Sequence, residues 1–154
     1  MRLGESADTS MSVGTERLVA QIVKDQVAVS RLNAEEISSL IAYLPVGSYA
    51  FEPAPNDFVL LFDRSRGRIV LIDTGPDDHP ILLNTDAIRW TWESDGHRLL
   101  YSDGNDVRVY DPVTRLNDTI TRLSGPIIDI AWHPADSAAI FTQAGHVSLI
   151  EFDG

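Results

Sequence analysis

His79, His97, His133 and His146 are the side chains here that can change charge near neutral pH. Each sits in a separate loop, so metal ligation by them would require loops from different parts of the chain to converge. With no cysteine, the chain has no thiolate nucleophile, no thiolate zinc ligand and no disulfide. It contains no Gly-x-Ser-x-Gly, no Walker loop and no His-Glu-x-x-His, so nucleophile, base and orienting group are nowhere grouped. The expectation is a protein that is not an enzyme and uses no cofactor.

Two loops are rich in oxygen donors, Thr74-Gly75-Pro76-Asp77-Asp78-His79 and Asp103-Gly104-Asn105-Asp106. Hard cations such as calcium favour several oxygen ligands, but neither loop has the EF-hand spacing. Asp, Asn and Gly at such places serve turn geometry first. Arg64, Arg66 and Arg68 could grip an anion, although arginines around a hairpin also form a solvated loop that discourages edge pairing.

Composition narrows the classes further. The 154 residues, 44% hydrophobic and 23% charged, suffice for one ordinary core. A net charge of -11 makes a phosphate backbone a poor partner, and no nucleic acid is expected. No apolar run approaches the roughly 18 residues of a membrane span, and Met1 to Ser12 lack a signal-peptide core. The compartment stays open.

The elements that must position these residues repeat. Phe51, Trp92 and Trp132 follow one another at intervals of 41 and 40 residues. About seven positions after each comes a short apolar run, then a tight turn, then alternating apolar positions ending in an acid: Ile69, Leu71 and Asp73; Val107, Val109 and Asp111; Val147, Leu149 and Glu151. Val27 and Val29 extend the series upstream, with Leu18 to Val23 before them. A spacing of about 40 residues with period-two patterning and Gly, Pro, Asn and Asp between runs predicts four antiparallel strands per repeat, a to d. In the unit that is easiest to read these are 87–92, 98–103, 106–111 and 118–123. The three aromatics read as buried wedges between neighbouring sheets.

One segment conflicts with this scheme. Asn33-Ala34-Glu35-Glu36 resembles a capping box, and Ile37, Leu40, Ile41 and Leu44 fall at helical spacing. Its place in the repeat is that of an outer strand, and a strand is expected. Residues 1–17 form a poorly patterned segment in which 7–13 offers a possible inner strand.

The repeat resembles the WD-repeat and WD-like β-propeller families over 18–154. Trp92-Glu-Ser-Asp-Gly-His-Arg-Leu-Leu-Tyr101-Ser looks like the a-to-b signature of bacterial WD-like repeats, with Ser94 where Pro is usual, and Trp132-His-Pro-Ala-Asp136 keeps the Pro. Asp103-Gly-Asn-Asp-Val-Arg-Val-Tyr-Asp111-Pro-Val-Thr114 looks like a b-to-c hairpin and strand c, with Tyr110 in place of the Trp. No unit contains Trp-Asp, and Gly96-His97 and Gly145-His146 fall in hairpins, so the family's His-Ser/Thr-Asp-Trp network does not carry over. The resemblance implies an all-β fold of four-stranded antiparallel blades. About three and a half blades are legible, which implies an incomplete propeller, a fragment completed by missing blades or by self-association. A compact four-bladed ring is the alternative.

Blade topology sends the a-to-b and c-to-d loops to one face. Those loops hold Glu35, Glu36, Asp57, Asp77, Asp78, Glu93, Asp95 and Asp136 against Arg115, whereas on the other face Asp25, Asp86 and Asp103 balance Lys24, Arg64 and Arg66. The acidic set is the candidate interaction face, though such turns also provide solubility. The expected function is a non-catalytic scaffold that binds a protein partner through blade loops. The alternatives are an accessory or substrate-binding propeller of a larger hydrolase or lyase, or a calcium-stabilised extracellular propeller.

Overall fold

A computed structural model describes residues 9–55, 57–76 and 78–152. The chain divides into two compact units, Met1–Thr85 and Asp86–Gly154.

The first unit holds two four-stranded antiparallel sheets in sequential order. One comprises β1 (Thr9–Val13), β2 (Glu16–Val23), β3 (Gln26–Leu32) and β4 (Ser38–Pro45); the next comprises β5 (Tyr49–Glu52), β6 (Phe58–Asp63), β7 (Arg68–Asp73) and β8 (Ile81–Asp86). Alternation puts Leu18 and Ala20, Val27 and Val29, Val59 and Leu61, and Val70 and Ile72 into one buried cluster. Leu60, Ile69 and Leu71, on the opposite face of β6 and β7, are also fully buried, so these strands are covered on both sides. Burying each such side chain contributes about 1.5–3 kcal/mol.

The second unit repeats the plan with β9 (Arg89–Trp92), β10 (Leu99–Ser102), β11 (Asp106–Asp111) and β12 (Leu116–Arg122), followed by the three-stranded sheet β13 (Asp129–Trp132), β14 (Ala138–Gln143) and β15 (His146–Glu151). Leu100, Val107, Val109, Ile127, Ile130, Ala139 and Phe141 form its core. The period of 40 recurs bond for bond. Ile88 N donates to Ser102 O as Ile128 N does to Thr142 O, both at 2.8 Å, and Glu93 N donates to Arg98 O as His133 N does to Ala138 O, both at 2.9 Å.

The contested segment at 33–45 is a strand preceded by a turn. Asn33 Oδ1 accepts from Glu35 N at 3.1 Å and Ile37 N at 2.8 Å, so the capping-box residues close a local turn instead of starting a helix. β4 then pairs with β3 and buries Ala42 and Leu44. The possible inner strand at 7–13 is formed over Thr9–Val13 and pairs with β2; Ala7 and Asp8 lie outside the described residues.

Candidate functional site

In the second unit, the a-to-b turn after β9 carries Glu93, a carboxylate only 6% exposed. An isolated buried charge is costly, and Arg98 at the far side of the turn compensates it. Its Nε lies 3.0 and 3.1 Å from the two Glu93 oxygens and its Nη2 closes the fork on Oε1. That Nη2 also donates to the Asp136 carbonyl at 3.1 Å, in the equivalent turn one repeat later. The guanidinium lies 5.1 Å from the Trp132 ring centroid and 5.5 Å from that of Phe152. Hydrogen bonding to Glu93 holds the Arg98 pKa above its ordinary value.

Asp136 occupies the position of Gly96 and shares its left-handed backbone, φ 53° against 76°. A residue with a Cβ is strained there by about 1 kcal/mol. Its carboxylate offsets this by accepting from Ser94 Oγ and, at 3.4 Å, from Ser94 N of the preceding sheet. Asp95 is taken by His97, whose N donates to it at 2.9 Å and whose Nδ1 lies 3.2 Å away. Of the acidic set, then, Glu93 and Asp95 are engaged within their own turn, and Asp136 binds that turn to the next.

Trp132 and Trp92 are half-buried, as is Phe51, and not sealed between sheets as their spacing predicted. The cause for Trp132 is polar: its Nε1 donates to Thr91 O at 3.1 Å, which holds the indole at the loop end of the core, where Arg98 and Phe152 cover it.

The hairpin that looked most suited to a cation is filled by guanidinium groups. Asp103 Oδ1 accepts from Asn105 N and Asp106 N, both at 2.9 Å, closing the turn. Asp106 is buried and receives Arg122 Nε at 2.8 Å, Arg122 Nη2 at 3.0 Å and Arg108 Nη2 at 2.9 Å. Arg122 first, then Arg108, hold its carboxyl far below the usual carboxylate range. Asp73 and Asp111, the acids ending β7 and β11, cap the following turn by accepting from Gly75 N and Val113 N, each at 2.8 Å.

The arginine cluster of the first unit also splits. Asp63, buried at the end of β6, accepts from Ser48 N at 3.2 Å, Ser65 N at 3.0 Å and Arg66 Nη1 at 2.6 Å. Burial pushes its pKa up, but the hydrogen bonds from Ser65 and Arg66 outweigh that and leave it lowered. Gly47 is required beside this pair, since a Cβ there would lie 2.8 Å from Asp63 Oδ2. Arg68 Nη2 donates to Asn84 O at 3.0 Å, while Arg64 is exposed. Arg66 and Arg68 line one cavity with Asp63, and Arg64 is not in its lining, so two of the three arginines come together.

The remaining acids belong to the first unit. Glu35, Glu36, Asp57 and Asp78 are exposed, and Asp77 lies outside the described residues. Hydrogen bonds hold the turns of Asp57 and of Glu35 and Glu36: Thr74 donates to Asp57 O through both N and Oγ1, each at 3.0 Å, and Glu36 N donates to Asn33 O at 3.0 Å. Among the described residues, no group of three His, Asp or Glu is placed to hold a metal ion, and no helix is long and apolar enough to cross a membrane. Arg98, Arg108 and Arg122 were not marked by the sequence as hubs: Arg98 meets its carboxylate across a turn and Arg122 from a neighbouring strand, while Arg108 reaches Asp106 along its own strand. Only the alternation of charge between β11 and β12 hinted at one of these pairs.

No protein-family model matches the chain, and no curated protein matches it in sequence. Solved structures do match in fold. Kluyveromyces lactis Hsv2 is 14% identical, with 94% of this chain and 48% of that chain covered at a TM-score of 0.54. KlAtg21, in a complex with a coiled coil of AgAtg16, is 15% identical, with 87% and 48% covered at 0.53. The periplasmic gluconolactonase PpgL of Pseudomonas aeruginosa is 16% identical, with 91% and 47% covered at 0.50. The likeness shows the fold: the sheets are β-propeller blades. The chain spans about half the length of the structures it matches.

Proposed function

We propose that the chain is a non-catalytic interaction module of the WD-like β-propeller type, which binds a protein partner through blade loops of its first unit. The observation that carries this reading is the contrast between two sets of acids. Glu93, Asp95 and Asp136 are engaged with Arg98, His97 and Ser94, whereas Glu35, Glu36, Asp57 and Asp78 are exposed, and backbone hydrogen bonds hold the turns of Glu35, Glu36 and Asp57. Fixed turns present charge without the entropy that ordering a mobile loop would cost. A blade fold also carried by KlAtg21, seen with a coiled coil of AgAtg16, suits such a role.

The experiment is affinity capture from a lysate of the source organism, with E35Q/E36Q/D57N/D78N as the test and D25N/D118N/D129N/E151Q as a charge-matched control on other exposed positions. A stoichiometric partner retained by the control and lost by the fourfold variant supports the reading. Equal capture by all three proteins, or capture of none, contradicts it.

A further inference from the structure

The first unit contains a cavity of about 210 Å³ whose lining includes Met11, Leu18, Ala54, Pro55, Phe58 and Val59. Its floor is sealed, since Leu18 and Val59 belong to the buried core. Its wall at Pro55 and Phe58 is closed by Phe58 N donating to Pro55 O at 2.9 Å, and the two hydrogen bonds from Thr74 to Asp57 O tie that turn to the end of β7. The cavity is therefore held open by backbone hydrogen bonds and does not depend on side-chain rotamers alone.

The charges that line it cancel, and those on the adjoining turns are acidic. Glu16 and Arg31, which also line it, neutralise each other at 3.1 Å. Beyond that pair, the exposed Asp57 adjoins Phe58, and the turn closed by Asn33, two residues after Arg31, carries the exposed Glu35 and Glu36. An apolar depression beside acidic turns selects for an apolar side chain flanked by cations.

We infer that this cavity anchors a basic peptide segment of the partner, taking one leucine-sized apolar side chain while neighbouring Lys or Arg residues face Asp57, Glu35 and Glu36. The inference rests on the proposed acidic-loop function and adds an apolar anchor to it. Anchor pockets of this kind carry most of the energy of a small interface, and the surrounding charges set approach and register.

The test is a nuclear magnetic resonance titration of the ¹⁵N-labelled full chain with two synthetic peptides, Gly-Lys-Lys-Leu-Lys-Lys-Gly and the same peptide with alanine for leucine. Saturable shifts at Val13, Leu18, Ala54, Val59 and Thr74, with the leucine peptide binding about tenfold more tightly, are expected from the lost apolar contact. Ala54→Phe, which fills the cavity and leaves every charge in place, should remove the leucine advantage and keep the alanine peptide within about twofold. Should that variant misfold, the two peptides on the unmodified chain still decide. Equal affinity for both peptides, abolished by E35Q/E36Q/D57N, would overturn the anchor and leave the acidic-loop function standing. No saturable shift with either peptide would overturn the anchor and count against the acidic loops as well.

Discussion

Arg98 forks onto Glu93 within one blade and donates to the carbonyl of Asp136 in the next at 3.1 Å, so a single guanidinium joins two consecutive turns of the second unit. Removing it strands a buried carboxylate. Arg98→Ala should destabilise the second unit by about 3 kcal/mol, the lower end of the range for breaking a buried pair from one side. R98M/E93Q, which removes both charges, should cost less than the single change. Urea midpoints of the three proteins check this, and a double variant weaker than R98A would refute the pairing as the cause.

Trp132 is anchored by one hydrogen bond as well as by packing, and the two contributions separate. Trp132→Phe removes the bond to Thr91 O and should cost about 1 kcal/mol, whereas Trp132→Ala should cost about 2–3 kcal/mol, below the 3–5 of a fully buried aromatic. A Trp132→Phe protein that unfolds at the parent's midpoint would show that the indole N–H carries nothing, and equal losses for the two variants would show that the ring packing carries nothing.

Acid should act through Asp106. Its pKa in the folded chain is depressed below the unfolded value near 3.9, so its contribution is fully present above that value and is lost as pH falls through and below it. The parent should therefore lose stability between about pH 5 and pH 3 more steeply than Asp106→Asn, whose side chain does not titrate. Asp63, also lowered, remains in both proteins and cancels in the difference. Parallel curves of denaturation midpoint against pH would contradict the assignment.

Much of the fold was legible because its signals are local and periodic. The apolar run of β7, the alternation in β11 and the turn at Asn33 each depend on residues a few positions apart, the period of 40 returns these signals at a regular interval, and the turns of the second unit reproduce that period hydrogen bond by hydrogen bond. The strand β4 was legible only through its place in the repeat, since its own sequence reads as a helix. The site was less legible. Glu93 and Asp57 look alike as acids in a-to-b loops, but one is buried under Arg98 and the other is exposed, a difference set by Arg98 and by a turn 40 residues further along the chain. Half-burial of Trp132 was hidden for the same reason, because its partner Thr91 lies in the preceding repeat.

The outer edge of β15 has no neighbouring strand among the described residues, and Val147 and Leu149 on it are 74% and 49% exposed. Edges of this kind template pairing with another strand. The isolated chain should self-associate at high concentration, and V147K/L149K should suppress this. Sedimentation velocity that gives a concentration-independent 17.0 kDa monomer for the parent would remove β15 as an interaction edge.

The central claim, that the first unit's a-to-b and c-to-d loops meet the partner, is tested most directly by hydrogen-exchange footprinting of the captured complex. The account predicts added protection at 33–37, at 57–59 and at 74–76, with the opposite turns at 24–26 and 64–67 unchanged. Protection concentrated at 24–26 and 64–67, with 33–37 and 57–59 exchanging as in the free chain, would contradict it.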